Sequence, residues 1–191
     1  MRKERWALDF VDLIEDKKFL GQEFLTWLWW KSEERGGSVA IPGYGDISLV
    51  FEKHMLLEYG EGESAEKLIC SGLRAELQEA RTGLQVGKKL EQARVRMTKG
   101  DNEYNFTLAA TFMEFRNIRL PRTAMTETDE TGNREDVEGM ILERIYLFEE
   151  LLQTVNTLFR CFLDVRLDQE WNSELSKIRG WIANNLQYTA T

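Results

Sequence analysis

One histidine, two cysteines and a run of basic residues are the groups in this 191-residue sequence whose types could do chemistry. His54 could serve as a general base. Cys70 could be its nucleophile if the two side chains met across neighbouring strands. Cys70 reads better as a small buried apolar residue. With only Cys70 and Cys161, the chain can build neither a disulfide framework nor a four-thiolate metal site. The sequence contains no HExxH, Cys-x-x-Cys, EF-hand, Walker or GxGxxG motif. Asp46 and Glu52-Lys53 come nearest to the acidic cluster of a metal-dependent nuclease, but their spacing is wrong. The acidic pairs Glu33-Glu34 and Glu149-Glu150 read as solvated helix faces. The expectation is a protein without catalytic residues, metal or cofactor.

The basic residues make a stronger signal. Lys88, Lys89, Arg94, Arg96 and Lys99 lie on one predicted strand and its turns, and Arg116, Arg119 and Arg122 lie beyond it. The whole chain has a net charge of −8, which argues against indiscriminate attraction to phosphate. The charge is unevenly distributed, however. Residues 74–122 hold 10 Lys and Arg against 6 Asp and Glu, and the segments on either side are acidic. An acidic protein can bind a polyanion when its cations share one face. Arg94 and Arg96 have the parity opposite to Ala93, Val95 and Met97, so they should leave the solvent side of the strand together, ~6–7 Å apart. The competing reading is an edge strand kept soluble by positive charge.

The elements that must position these groups follow from periodicity. Trp6, Phe10, Leu13 and Ile14 recur at helical spacing, and a second helix should run from about Phe19 to Arg35, ending at Gly36-Gly37. The centre of that second helix, Phe24 to Trp30, is apolar nearly all round, so it must be buried on most sides or covered by a partner. Trp27, Trp29 and Trp30 within it could form a base-stacking platform or an interface, or they could be core. Ile41 to Asp46 reads as a turn-rich connector. Alternation from Ile47 to Tyr59 predicts one long strand or two short ones, and Lys67 to Cys70 a further short strand. A helix is expected over Leu73 to Gln85. A hairpin turning at Lys99 to Asn102 follows, with its parity slipping at Phe112-Met113. Val137, Ile141, Ile145, Phe148, Leu152, Val155, Phe159 and Phe162 then mark one long helix, and Trp171, Leu175, Ile178 and Ile182 a last one.

The fold class is therefore α+β: an antiparallel sheet with N-terminal helices and a long C-terminal helix pair. The expected organisation is a helical segment at 1–37, the sheet with one helix at 38–122, a polar flexible loop at 123–135, and helices at 136–191 packed with the rest as one domain. No stretch approaches the ~18 apolar residues of a membrane span. Met1 to Trp6 lacks the apolar region of a secretory signal, so a cytoplasmic protein is expected.

The stretch from Leu84 to Leu120 resembles the C-terminal half of the RdgC family of recombination-associated proteins. The features in common are Gly87-Lys88-Lys89-Leu90, an amphipathic strand, a polar turn and an aromatic-rich second strand. They continue in Arg134-Glu135-Asp136 before a helix carrying Leu151-Leu152 and Leu158. The segment Phe19-Leu20-Gly21-Gln22-Glu23-Phe24-Leu25-Thr26-Trp27-Leu28-Trp29-Trp30 is similar to one in divergent relatives. Together these cover about half the chain. The resemblance implies ring-shaped assemblies that encircle double-stranded DNA without sequence preference and restrain RecA-type recombinase action. The chain is about two-thirds of the usual family length and matches nothing in the family's N-terminal half.

On this reading the protein is expected to be a non-catalytic, nucleoid-associated DNA binder and one subunit of a ring, formed as a homo-oligomer or with a companion RdgC-like chain. Lys88, Lys89, Arg94, Arg96, Lys99, Arg116 and Arg119 would contact DNA, and Trp27, Trp29 and Trp30 would form the subunit interface. The alternative is a protein-interaction module forming an obligate oligomer, with the long C-terminal helix as its contact and no direct role for nucleic acid.

Overall fold

The computed structural model describes residues 19–41, 45–59, 66–71, 75–122 and 134–183. The helix expected around Trp6 to Ile14 and the loop at 123–133 lie outside the described residues. The elements in chain order are α1 (Phe19–Glu34), β1 (Ser38–Ile41), β2 (Gly45–Tyr59), β3 (Glu66–Ser71), α2 (Ala75–Gln85), β4 (Lys89–Lys99), β5 (Asn102–Ala109), β6 (Glu114–Arg119), α3 (Arg134–Leu167) and α4 (Trp171–Ala183). The architecture is α+β, with an antiparallel sheet and a C-terminal helix pair, as the periodicities require.

The six strands pair in the order β1-β2-β4-β5-β6, with β3 also on β2. β4 takes one edge of the long β2, while β1 and β3 share the other edge end to end. β1 falls where the sequence reads as the approach to a connector. It is only four residues long, too short for alternation to register.

Alternation assigns the two faces of the sheet. Leu49, Phe51, Met55 and Leu57 on β2 meet Met97, Val95, Ala93 and Leu90 on β4, of which the first three meet Tyr104, Phe106 and Leu108 on β5, and Ile47 of β2 meets Val39 of β1. All of these are buried. The helices cover this inner face. α2 packs its Ala80 and Gly83 side there, with Gly83 facing Leu57 and Leu68. The outer face shows Asp46, Ser48, Val50, His54 and Arg96 to solvent.

α1 lies between the sheet and the C-terminal helices, which explains why its sequence is apolar nearly all round. On one side the Trp29 ring stacks on Phe51 of β2 at 6.2 Å. On the other, Phe24 meets Phe159 and Phe162 of α3 at 5.1 and 5.6 Å, and Trp29 meets Trp181 of α4 edge-on at 4.9 Å. Gly21 lets the helix backbone close onto β5: a methyl there would collide with the Ala110 carbonyl oxygen. Gln22 Nε2 donates to Glu91 at 2.8 Å, and Arg166 of α3 pairs with Glu23 at 2.7 Å. The helix stops where Gly36 and Gly37 take φ of 62° and 99°, and Gly37 N–H returns to the Ser32 carbonyl at 2.5 Å.

Trp27, Trp29 and Trp30 are 4%, 1% and 4% exposed within this single chain. That corrects the interface assignment: the tryptophans are core, because the chain's own helices supply the cover. The acidic pairs also divide. Glu33 accepts from Trp29 Nε1 at 2.7 Å and Trp181 Nε1 at 2.9 Å and pairs with Arg81, while Glu34 stays at the surface. Glu150 turns inward while Glu149 is exposed.

The long helix departs from its expected burial. From Leu151 to Leu163 it places Leu151, Val155, Leu158, Phe159, Phe162 and Leu163 in the core. In its first half the stripe Val137, Ile141, Ile145 and Phe148 is exposed, and the body of the protein holds Leu147 instead. In this half the helix thus rests on the fold through a different face from the one its periodicity selects, whereas Val155, Phe159 and Phe162 of the same stripe are buried further along.

Candidate nucleic-acid interface

The outer face of the sheet gathers part of the basic set. Arg94 and Arg96 of β4 stand opposite Thr107 and Asn105 of β5. Those two stand opposite Arg116 and Arg119 of β6. The backbone positions of four arginines therefore frame a rectangle, ~7 Å along β4 and ~10 Å across, with Asn105 and the buried Thr107 in its middle.

A bulge makes this possible. Residues three apart on a regular strand point to opposite faces. Between Arg116 and Arg119 the register shifts by one, and Asn117 takes φ of 52°, so both arginines share a face. Asparagine tolerates this left-handed conformation better than most residues. The sequence places these two arginines in the basic set but does not show that they share a face.

The array is partly neutralised. Arg94 Nε lies 3.0 Å from one Glu52 carboxylate oxygen and Arg96 Nε 4.0 Å from the other. Arg116 pairs with Glu114 at 2.6 Å and donates to Gln92 Oε1 at 3.2 Å. The Arg116 hydrogen bond holds the Glu114 carboxyl below its ordinary value. Asp46, Glu58 and Glu103 lie elsewhere on the same face. The pairs at Arg94, Arg96 and Arg116 are solvent-exposed. Such contacts are screened by salt and exchange readily with a competing anion.

The remaining basic residues divide. Lys89 is exposed on the outer face, opposite Glu58. Lys88 lies against α2 and pairs with Glu66 at 3.0 Å. Lys99 has inner parity and pairs with Glu150 of α3 at 3.0 Å, so it ties the hairpin to a helix. Lys88 and Lys99 thus stand outside the array. The sequence reading did not place Glu52, Asn105 and Thr107 beside these arginines; strand pairing and ion pairing do so and composition does not.

Around Lys99 the structure builds an anchor. Tyr104 donates its hydroxyl hydrogen bond to Glu150, and Lys99 adds its charge. Burial pushes the Glu150 carboxyl up, but the Tyr104 and Lys99 contacts outweigh it and hold the group below its ordinary range. Burial, then the Glu150 contact, push the Tyr104 phenol up.

His54 stands exposed opposite Ser71, whereas Cys70 is buried opposite Met55. The Cys–His pair is therefore not assembled. Among the described residues no three His, Cys, Asp or Glu side chains cluster as metal ligands, and no helix is long and apolar enough to cross a membrane. Comparison with family models, curated proteins and solved structures finds no match for this chain.

Proposed function

We propose that this chain is a non-catalytic DNA-associated protein of the RdgC type, which binds duplex DNA without sequence preference and acts in the control of recombination. The observation that carries the reading is the set of four arginines, Arg94, Arg96, Arg116 and Arg119, on one sheet face, with the half-buried Asn105 amide between Arg96 and Arg119 and Thr107 buried between Arg94 and Arg116. A flat array of guanidinium groups offers phosphate oxygens charge and paired donors, with no groove-reading element to select a sequence. The resemblance of 84–120 and 19–30 to that family supplies the link to recombination, and with it a place at the nucleoid. The Gly21, Gln22, Glu23 and Phe24 contacts show what the second of these segments does: it seats α1 on the sheet and against α3. A rival reading, a protein-interaction module with no nucleic-acid contact, is favoured by the bare apolar stripe on α3.

The test is duplex binding at two ionic strengths, for the natural protein and for Arg96→Glu/Arg119→Glu. Both substituted side chains are exposed, so the fold should persist, as circular dichroism will show. Affinity should fall steeply with salt, and the double variant should bind more weakly with a shallower salt dependence, by roughly one unit of log–log slope per lost phosphate contact. Equal affinity for the two proteins, or no binding at low salt, refutes the proposal.

A further inference from the structure

Val137, Ile141, Leu142, Ile145, Tyr146 and Phe148 are between 38% and 66% exposed, all within the first half of α3. Surface side chains that are scattered singly need no explanation, but a contiguous patch does. At ~200 Å² for a large side chain, this patch amounts to roughly 600 Å². That is the upper end of what a monomer ordinarily shows. The segment also needs support. Among the side chains described there, Leu147 is the one large side chain buried in the body before Leu151. A helix of three or four turns is marginal in water without an apolar cover.

The spacing of the stripe points to what covers it. Ile141 and Ile145 lie two residues either side of position 143, and Val137 and Phe148 lie six before and five after it. A helix whose large residues are nearly symmetric about a point complements a copy of itself running the other way. Ile141 then meets the copy's Ile145, Val137 meets Phe148, and Leu142 lies near the two-fold axis. This is the self-complementarity that an isologous interface demands. Two such patches apposed remove roughly 1,200 Å² from water, the lower edge of what stable association needs.

We propose that the first half of α3 is a self-association surface, on which a second copy of this chain docks its own α3 antiparallel about residue 143. The inference is independent of polyanion binding, because it rests on a different element.

The full chain is tested by sedimentation across the micromolar range, beside Ile141→Glu/Ile145→Glu. A reversible dimer is expected, with a dissociation constant raised at least about tenfold in the variant. Circular dichroism confirms that the variant is folded. Orientation is read by oxidative cross-linking in a Cys161→Ser background. Leu142→Cys should cross-link across the axis. Val137→Cys should not, since antiparallel pairing holds the two copies of that residue ~18 Å apart. A monomer throughout the concentration range overturns the proposal, and so does a dimer indifferent to the two glutamates. Cross-linking through Val137→Cys in place of Leu142→Cys overturns the antiparallel arrangement. A chain that is monomeric intact and dimeric once residues 2–18 are removed shows that the patch is covered from within, which also refutes it.

Discussion

α1 and the first half of α3 read alike in the sequence: each is a helix with more apolar surface than one buried face accounts for. Their fates differ. α1 has a sheet on one side and two helices on the other, and its three tryptophans are almost wholly hidden. The first half of α3 touches the fold through Leu147 and the Glu150 anchor, and leaves its stripe in solvent. An apolar pattern therefore specifies a helix and demands a cover, but does not say whether the cover belongs to the same chain. In α1 the clue is breadth, since apolar residues all round leave no face for water. In α3 it is duplication: Leu147 and Leu151 form a second apolar line beside the first, and one body can take only one of them.

The largest test of this contrast is stability. Trp29→Ala empties the centre of the core and should cost about 3–5 kcal/mol. Ile141→Ala removes a half-exposed side chain and should change the stability of the isolated chain by less than about 0.5 kcal/mol. Urea midpoints measured at a protein concentration low enough to keep the chain monomeric will compare them. Similar losses at the two positions would mean that the stripe is buried within the chain, and the distinction would fail.

A smaller effect should appear at the point where α3 leaves the body. Because the Glu150 carboxyl is held below its ordinary 4.5, the folded state binds its proton less tightly than the unfolded chain does. Its contribution is present above that value and disappears as the pH falls through the lowered folded value. Glu174 shifts the same way, where Lys31 and Lys177 outweigh burial. The comparison of the natural protein with Glu150→Gln isolates the anchor. The variant should be less stable at neutral pH, and the gap should close below the carboxylate range. A gap independent of pH would show that Glu150 acts through packing rather than charge.

Much of this was legible beforehand, for identifiable reasons. The strand and helix periods were strong enough to place β2, β4, β5, α1, α3 and α4, and Gly36-Gly37 marked the end of α1 correctly. β1 was missed because four residues carry too little alternation. Arg94 and Arg96 were correctly given one face because parity is a local property. Arg116 and Arg119 needed a bulge at Asn117 that no pattern announces. Lys88 and Lys99 entered the basic set by proximity in sequence, yet one pairs with β3 and the other with α3, contacts that depend on how distant segments pack. Glu33 and Glu150 were read as solvated for the same reason: their indole, phenol and lysine partners come from residues that adjacency in the chain does not reveal.

The finest test concerns the one carboxylate placed between two members of the array. Glu52 reaches both Arg94 and Arg96 from the neighbouring strand, and all three side chains are partly open to water. Exposed pairs of this kind contribute at most ~1 kcal/mol, so Glu52→Gln should leave the thermal midpoint almost unchanged. The two guanidinium groups would then face solvent without an internal counter-charge. A nearby unit charge is worth ~1 kcal/mol even in water, so affinity for duplex DNA at low salt should rise by roughly two- to tenfold. The same change lies on the sheet, away from α3, and should leave sedimentation untouched. A rise in affinity without a change in association state would separate the polyanion face from the self-association face. Unchanged affinity would show that the arginines do not meet phosphate, and the sheet would lose its proposed role while the helix kept its own.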